Sequence, residues 1–182
     1  GKVLGTWSFN RENRIPVAYN NLSPYLVKAL VATEDARFYD HSGIDFIALC
    51  RAIVKRGLLG RESAGGGSTI TQQLAKQLYT EVAHSTAERL MQKPIEWVIA
   101  VKLERNYTKE EIIALYLNYF DFLHNAVGIK TAANTYFKKE PRQLTVCESA
   151  TLVGLCKNPS LFNPVRYPER CRSRRNGVLG LM

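Results

Sequence analysis

The stretch Thr108-Lys109-Glu110-Glu111-Ile112-Ile113-Ala114-Leu115-Tyr116-Leu117-Asn118 decides the fold class. A threonine followed three residues later by a glutamate satisfies exposed N–H groups at a helix start in both directions. The box recurs as Thr69 with Gln72, Ser85 with Glu88 and Thr145 with Glu148, each ahead of a helical pattern. Ser23 before Pro24 reads as an N-cap with proline at the first helical position, and Leu22 with Val27 as its hydrophobic staple. This first helix is expected to run to about His41. Asp45 is expected to cap the next, which carries Ile47, Leu49, Cys50, Ile53 and Val54 as far as Gly57. Pro94 should start or kink a helix bearing Ile95, Val98, Ile99 and Leu103, and the small residues of Ala126 to Phe137 suit close helix packing. Asn158-Pro159 and Asn163-Pro164 mark turns. Two regions depart from helix. Trp7, Phe9, Ile15 and Val17 alternate with polar residues as a short hairpin or extended strap, and Gly60 to Gly67 reads as a loop, expected to be mobile without ligand. The class is mostly α, with seven or eight helices and no internal repeat.

A chain of 182 residues fits one domain. With 46% apolar and 23% charged residues it can bury a core, which excludes wholesale disorder. The net charge of +9 favours anionic partners. From Lys138 to Arg175 nine Lys and Arg face only Glu140, Glu148 and Glu169, with Arg170, Arg172, Arg174 and Arg175 clustered. No stacking-aromatic RNA motif or helix-turn-helix signature supports nucleic acid as the partner. Cys50, Cys147, Cys156 and Cys171 lack C-x-x-C spacing, which argues against zinc ribbons and thioredoxin-like chemistry. No apolar stretch is long enough to span a membrane, and no signal peptide is evident. The chain opens at Gly1 without a methionine and stops at Met182 in a helical pattern, so it is expected to be a domain excised from a longer, anchored protein.

Leu26, Leu30, Glu34 and Phe38 recur at four-residue steps, which sets a carboxylate on an apolar stripe. Burial there raises a carboxyl pKa and prepares the group to exchange protons near neutral pH. The alternative is a helix-end glutamate paired with a surface arginine such as Arg37. Glu96 shares a helical face with Ile99, Ala100 and Leu103, with Lys93 three residues earlier, and by itself would read as an intrahelical ion pair. Two inward glutamates on separate helices are the minimum for acid/base chemistry at a sugar linkage. Between them, Gly65 to Lys76 is a glycine-rich loop feeding a helix. Thr69, Gln72, Gln73 and Lys76 fall on one side of that helix and Ile70, Leu74 and Leu78 on the other. Its free N–H groups and the Lys76 charge suit a phosphate, although no Walker A sequence is present.

Together these segments resemble the peptidoglycan glycosyltransferase domain of class A penicillin-binding proteins and monofunctional transglycosylases. The resemblance is carried by Glu34 to Gly43, Gly67 to Lys76, Lys93-Pro94-Ile95-Glu96, Lys109 to Asn118, and a last region of Ala132 to Phe137, Glu148 to Lys157 and Arg174-Arg175-Asn176. It implies a lysozyme-like helical fold with a smaller membrane-facing lobe, acting on lipid II and a growing glycan strand at the outer face of the bacterial cytoplasmic membrane, with other cell-wall synthesis proteins as partners. By similarity Glu34 is the general base, and Glu96 assists at the pyrophosphate directly or through an optional divalent cation, Mg or Mn. Lys76, Lys93 and Lys157 offset charge. Asp35, Phe38, His41, Ser68, Thr69, Gln72, Gln73 and Asn118 complete the implied substrate-binding set.

Three departures stand out. Gln92 precedes Lys93 where the family commonly has arginine, so that phosphate contact is lost or passes to Arg89; Phe122-Leu123 stands where an aromatic-glycine pair is usual; and a membrane anchor is expected upstream. The chain has no Ser-x-x-Lys or Lys-Thr-Gly, so it is not expected to bind penicillin itself. A lysozyme-like hydrolase or lytic transglycosylase is the alternative enzyme, and a non-catalytic basic module binding membrane or nucleic acid is the third reading.

Overall fold

The computed structural model describes residues 14–59, 67–79 and 85–182. Among them there is no strand, only an isolated antiparallel bridge between Asp121 and Val127, so the fold is mostly helical as the sequence predicts. The helices are α1 Pro24–Glu34, α2 Phe46–Leu59, α3 Ile70–Tyr79, α4 Thr86–Asn106, α5 Lys109–Tyr119, α6 Ile129–Phe137, α7 Val146–Lys157 and α8 Pro168–Leu179. Trp7, Phe9 and nearly all of the Gly60 to Gly67 loop lie outside the described residues.

The capping chemistry works largely as written in the sequence. Thr108 with Glu111 and Thr145 with Glu148 form full reciprocal boxes, and Ser85 accepts from the Glu88 N–H. At α3 the Gln72 N–H donates to the Thr69 hydroxyl while the Gln72 Oε1 accepts from the Thr69 N–H. Asp45 caps α2 by accepting from the Ala48 N–H at 2.9 Å. Ser23 differs. Pro24 does start α1, but the Ser23 hydroxyl donates to the Leu144 carbonyl at 2.9 Å, a long-range tie to the segment before α7. Pro94 neither starts nor ends its helix; it sits inside the 21-residue α4, where the Leu90 carbonyl loses its usual donor.

The first helix is shorter than expected. It ends at Glu34, and Phe38 lies beyond it in a short 3-10 turn, Phe38–Asp40. The cause is Asp35, at φ −158° and ψ 75°, whose carboxylate accepts the Ile70 N–H at 3.1 Å and so serves the start of α3. A tertiary demand stops the helix and leaves Glu34 on its last turn.

Two packing groups position the site. α7 lies against α1 and α8, and α3 lies against α4 and α5. Leu26, Leu30, Ile70, Leu74, Ile112, Leu117, Leu152 and Val153 are buried in a shared core. Gly43, at φ +98°, backs directly onto α4: a Cβ there would lie 2.9 Å from the Ala100 carbonyl carbon and oxygen. A different surface is left on α2 and α4, where Phe46, Ile47, Val54, Leu90, Met91, Ile95 and Val98 are exposed. No helix among the described residues is long and apolar enough to cross a membrane.

Candidate active site

Glu34 sits at the end of α1 with its side chain 14% exposed. The Gln73 amide on α3 donates to its Oε2 at 3.2 Å, and Arg174 Nη2 on α8 approaches Oε1 at 3.5 Å. Arg37, the nearby arginine that the sequence offers, turns instead to Asp40 and Asp45. The cation on Glu34 thus comes from far along the chain. Arg174 is itself mostly covered, its guanidinium passes near the Phe162 ring, and its Nε is buried without a partner. Leaving that donor unpaired is costly. Gly154 makes room for it, since a Cβ there would stand 3.2 Å from Arg174 Cγ.

Asp35 and His41 form a lock behind Glu34. His41 Nδ1 accepts the Gly43 N–H at 3.2 Å, so Nε2 carries the proton and donates to the Asp35 carboxylate at 3.0 and 3.1 Å. Thr69 donates its hydroxyl to the Gly43 carbonyl at 2.7 Å, closing the turn against α3. Lys109, at the start of α5, donates to the His41 carbonyl at 2.6 Å, pairs with Glu104, and sits 4.3 Å above the Phe38 ring. The first, second and fourth of the segments that carry the resemblance are therefore wired into one unit.

The other implied residues divide by environment. Gln72 is buried as the α3 cap, Phe38 is buried in the core, and Asn118 is buried with its amide exchanging hydrogen bonds with both backbone groups of Val17. Their polar or aromatic groups face protein. Gln73 and Ser68 are half-buried, while Lys76 and Lys157 reach solvent. Glu96 is 3% exposed and its Oε2 accepts from Lys93 Nζ at 2.6 Å, with Lys93 40% exposed. Both sequence readings of this pair hold together: it is intrahelical, and its carboxylate is inward. Arg89 is exposed near the start of α4.

Sequence reasoning gave no role to Tyr116, although it lies inside the fourth segment. Its phenol donates to the Gln73 Oε1 at 3.0 Å. Burial, then the neighbouring Cys156 and Glu34, push the Tyr116 pKa well above 10.0, so it stays a neutral donor. Burial likewise drives the Cys156 thiol far up. At the unusual Phe122-Leu123 pair, Leu123, His124 and Asn125 all adopt positive φ, a left-handed run that glycine would favour. Gly128, at φ +83°, follows it closely against the Asn118 carbonyl.

The transglycosylase family model matches residues 1–182. The chain is 41% identical over 175 residues to penicillin-binding protein 1F of Bacillus subtilis, covering 96% of this chain and 24% of that protein. It is 41% identical over 174 residues to penicillin-binding protein 1A of Escherichia coli, covering 96% of the chain and 20% of the relative. Against penicillin-binding protein 1A of Aquifex aeolicus the identity is 40% over 183 residues, covering all of the chain and 24% of the relative. The chain thus spans about a fifth to a quarter of the length of these curated relatives. The chain belongs to the transglycosylase family.

Proposed function

We propose that the chain polymerises lipid II into β-1,4-linked glycan with inversion, releasing undecaprenyl pyrophosphate, and that Glu34 is its base. The observation that carries this reading is a carboxylate largely withdrawn from water and held between an amide donor and a guanidinium. Such a group is oriented to take one proton from one direction. The 4-hydroxyl of the acceptor sugar gives its proton to Glu34 as its oxygen attacks the anomeric carbon of the donor. The bond to the lipid pyrophosphate breaks on the opposite face, and the electron pair leaves with the diphosphate.

The departing charge needs cations. Lys93 on Glu96, together with Lys76 and Lys157, fills that role, since fixed positive groups stabilise charge that develops in the transition state. A divalent cation fits as a visitor carried by the substrate rather than as a caged ion. Among the described residues no group of three or more His, Cys, Asp or Glu gathers, whereas Mg²⁺ commonly takes one or two carboxylates plus substrate phosphates. Glu96 is the carboxylate that would hold it, and the ion would neutralise diphosphate charge. Asp35, His41 and Thr69 orient the turn that carries Glu34, through the hydrogen bonds already described.

The exposed apolar residues of α2 and α4 support a lobe resting on the outer face of the cytoplasmic membrane, where a lipid-linked substrate is found. The test supplies radiolabelled lipid II in detergent to the protein and, separately, supplies finished peptidoglycan. We expect polymer and undecaprenyl pyrophosphate from the first and no cleavage in the second. Cleavage of finished wall with no turnover of lipid II would establish a hydrolase instead.

A further inference from the structure

We propose that Tyr116 is a positioning residue for glycosyl transfer: its phenol holds the Gln73 side chain in the orientation that donates to Glu34. The proposal rests on the reading of Glu34 as the base. It follows from which groups can donate and which can only accept. An ionised Glu34 only accepts, so the Gln73 atom facing it at 3.2 Å is the amide nitrogen. The Gln73 Oε1 then faces the Tyr116 hydroxyl at 3.0 Å, and a carbonyl oxygen only accepts, so the phenol donates. The three side chains come from α5, α3 and α1, and the direction of every proton along them is fixed.

Glutamine has several rotatable bonds, and one hydrogen bond does not hold it still. Tyr116 is fully buried on the inner face of α5, so its ring cannot follow a wandering amide. The Cys156 thiol of α7, which donates to the Leu152 carbonyl, is its neighbour there. Deleting only the hydroxyl leaves the Gln73 Oε1 without its donor. A part-buried amide oxygen in that state turns to water or to another donor, and the amide nitrogen leaves Glu34 with it. The base then loses one of its two fixed contacts although no residue that meets substrate has changed.

The test is a double-mutant cycle in lipid II polymerisation, using the protein at its full natural length. Tyr116→Phe should lower kcat on the order of 10- to 100-fold, the scale of a misplaced catalytic group, with KM for lipid II within about twofold. In a Gln73→Ala background the same substitution should change kcat by less than about twofold, because its target is gone. Wild-type kcat in Tyr116→Phe, or an equal loss in both backgrounds, would overturn the proposal, the latter by showing a packing effect independent of Gln73.

A second measurement requires neither a variant nor turnover. The Gln73 side-chain NH₂ of the wild type should show a high NMR order parameter and slow solvent exchange. An amide as mobile as one on a surface glutamine would overturn the proposal. Failure of the wild type to polymerise lipid II would strike the base assignment instead and leave the NMR result standing by itself.

Discussion

Glu34 is held by side chains from other parts of the chain, Gln73 of α3 and Arg174 of α8, with Tyr116 of α5 behind the glutamine. Glu96 is paired with Lys93, one turn back on its own helix. The helices around Glu34 are packed into the core, whereas α4 carries exposed Leu90, Met91, Ile95 and Val98 beside its buried glutamate. The difference matches the two tasks proposed for these carboxylates. A base must meet one proton at one place, so tertiary contacts over-determine it. A group that meets a departing diphosphate on a lipid needs charge and tolerance, which a local pair on a partly exposed helix supplies.

Substitutions sharpen this contrast. Glu96→Gln should lower lipid II polymerisation on the order of 100- to 1,000-fold, the scale for removing one electrostatic contact to a transition state. Lys93→Arg should retain most activity, because the partner one turn away can be met by a longer cation. Next in size is a stability effect. Gly43→Ala, which combines a positive φ with 2.9 Å contacts to the Ala100 backbone, should cost about 3 kcal/mol in denaturant melts. An unchanged midpoint would show that the turn behind Glu34 is not rigid.

Arg174→Ala should lower kcat on the order of 10- to 100-fold, and Arg174→Lys should not restore it, because a flexible ammonium does not reproduce the planar guanidinium that reaches Glu34 from a stem lying against Gly154. Full rescue by lysine would make Glu34 as tolerant as Glu96 and erase the distinction. Smaller still, Thr145→Ala removes a reciprocal cap and should destabilise by about 1 kcal/mol with kcat unchanged.

The smallest expected effect is a pH dependence at that same cap. Burial alone would raise the Glu148 carboxyl, but hydrogen bonds from Lys139 and Thr145 outweigh it and hold the pKa below 4.5. A carboxyl lowered on folding contributes stability that is full above its unfolded value and is lost as pH falls through the folded one. Melting temperatures measured downward from pH 5 should therefore decline less steeply in Glu148→Gln than in the wild type.

What was legible in the sequence follows the range of the interactions. Caps act over three residues, so Thr69, Ser85, Thr108 and Thr145 marked helix starts directly, and Asp45 capped α2 as expected. Periodicity placed Glu96 on the face shared with Ala100 and Leu103, both buried with it. The errors lie where distant residues compete for a local group. Asp35 served α3 and ended α1 at Glu34, several residues before His41. Ser23 does occupy the N-cap position before Pro24, but its hydroxyl went to Leu144 rather than to the helix start. Arg174 reached Glu34 across the fold while Arg37, three residues away, went elsewhere. Spacing along one helix carries no signal for such pairings. The uneven run of arginines near the C-terminus and the place of Arg174-Arg175-Asn176 in the family resemblance hinted that one of them had work inside.

The most direct measurement is the rate of lipid II polymerisation by Glu34→Gln, an isosteric change that keeps the Gln73 and Arg174 neighbourhood but removes the proton acceptor. We expect a fall on the order of 1,000-fold with a melting temperature within a few degrees of the wild type. A folded Glu34→Gln that polymerises at the wild-type rate would contradict the assignment of the base.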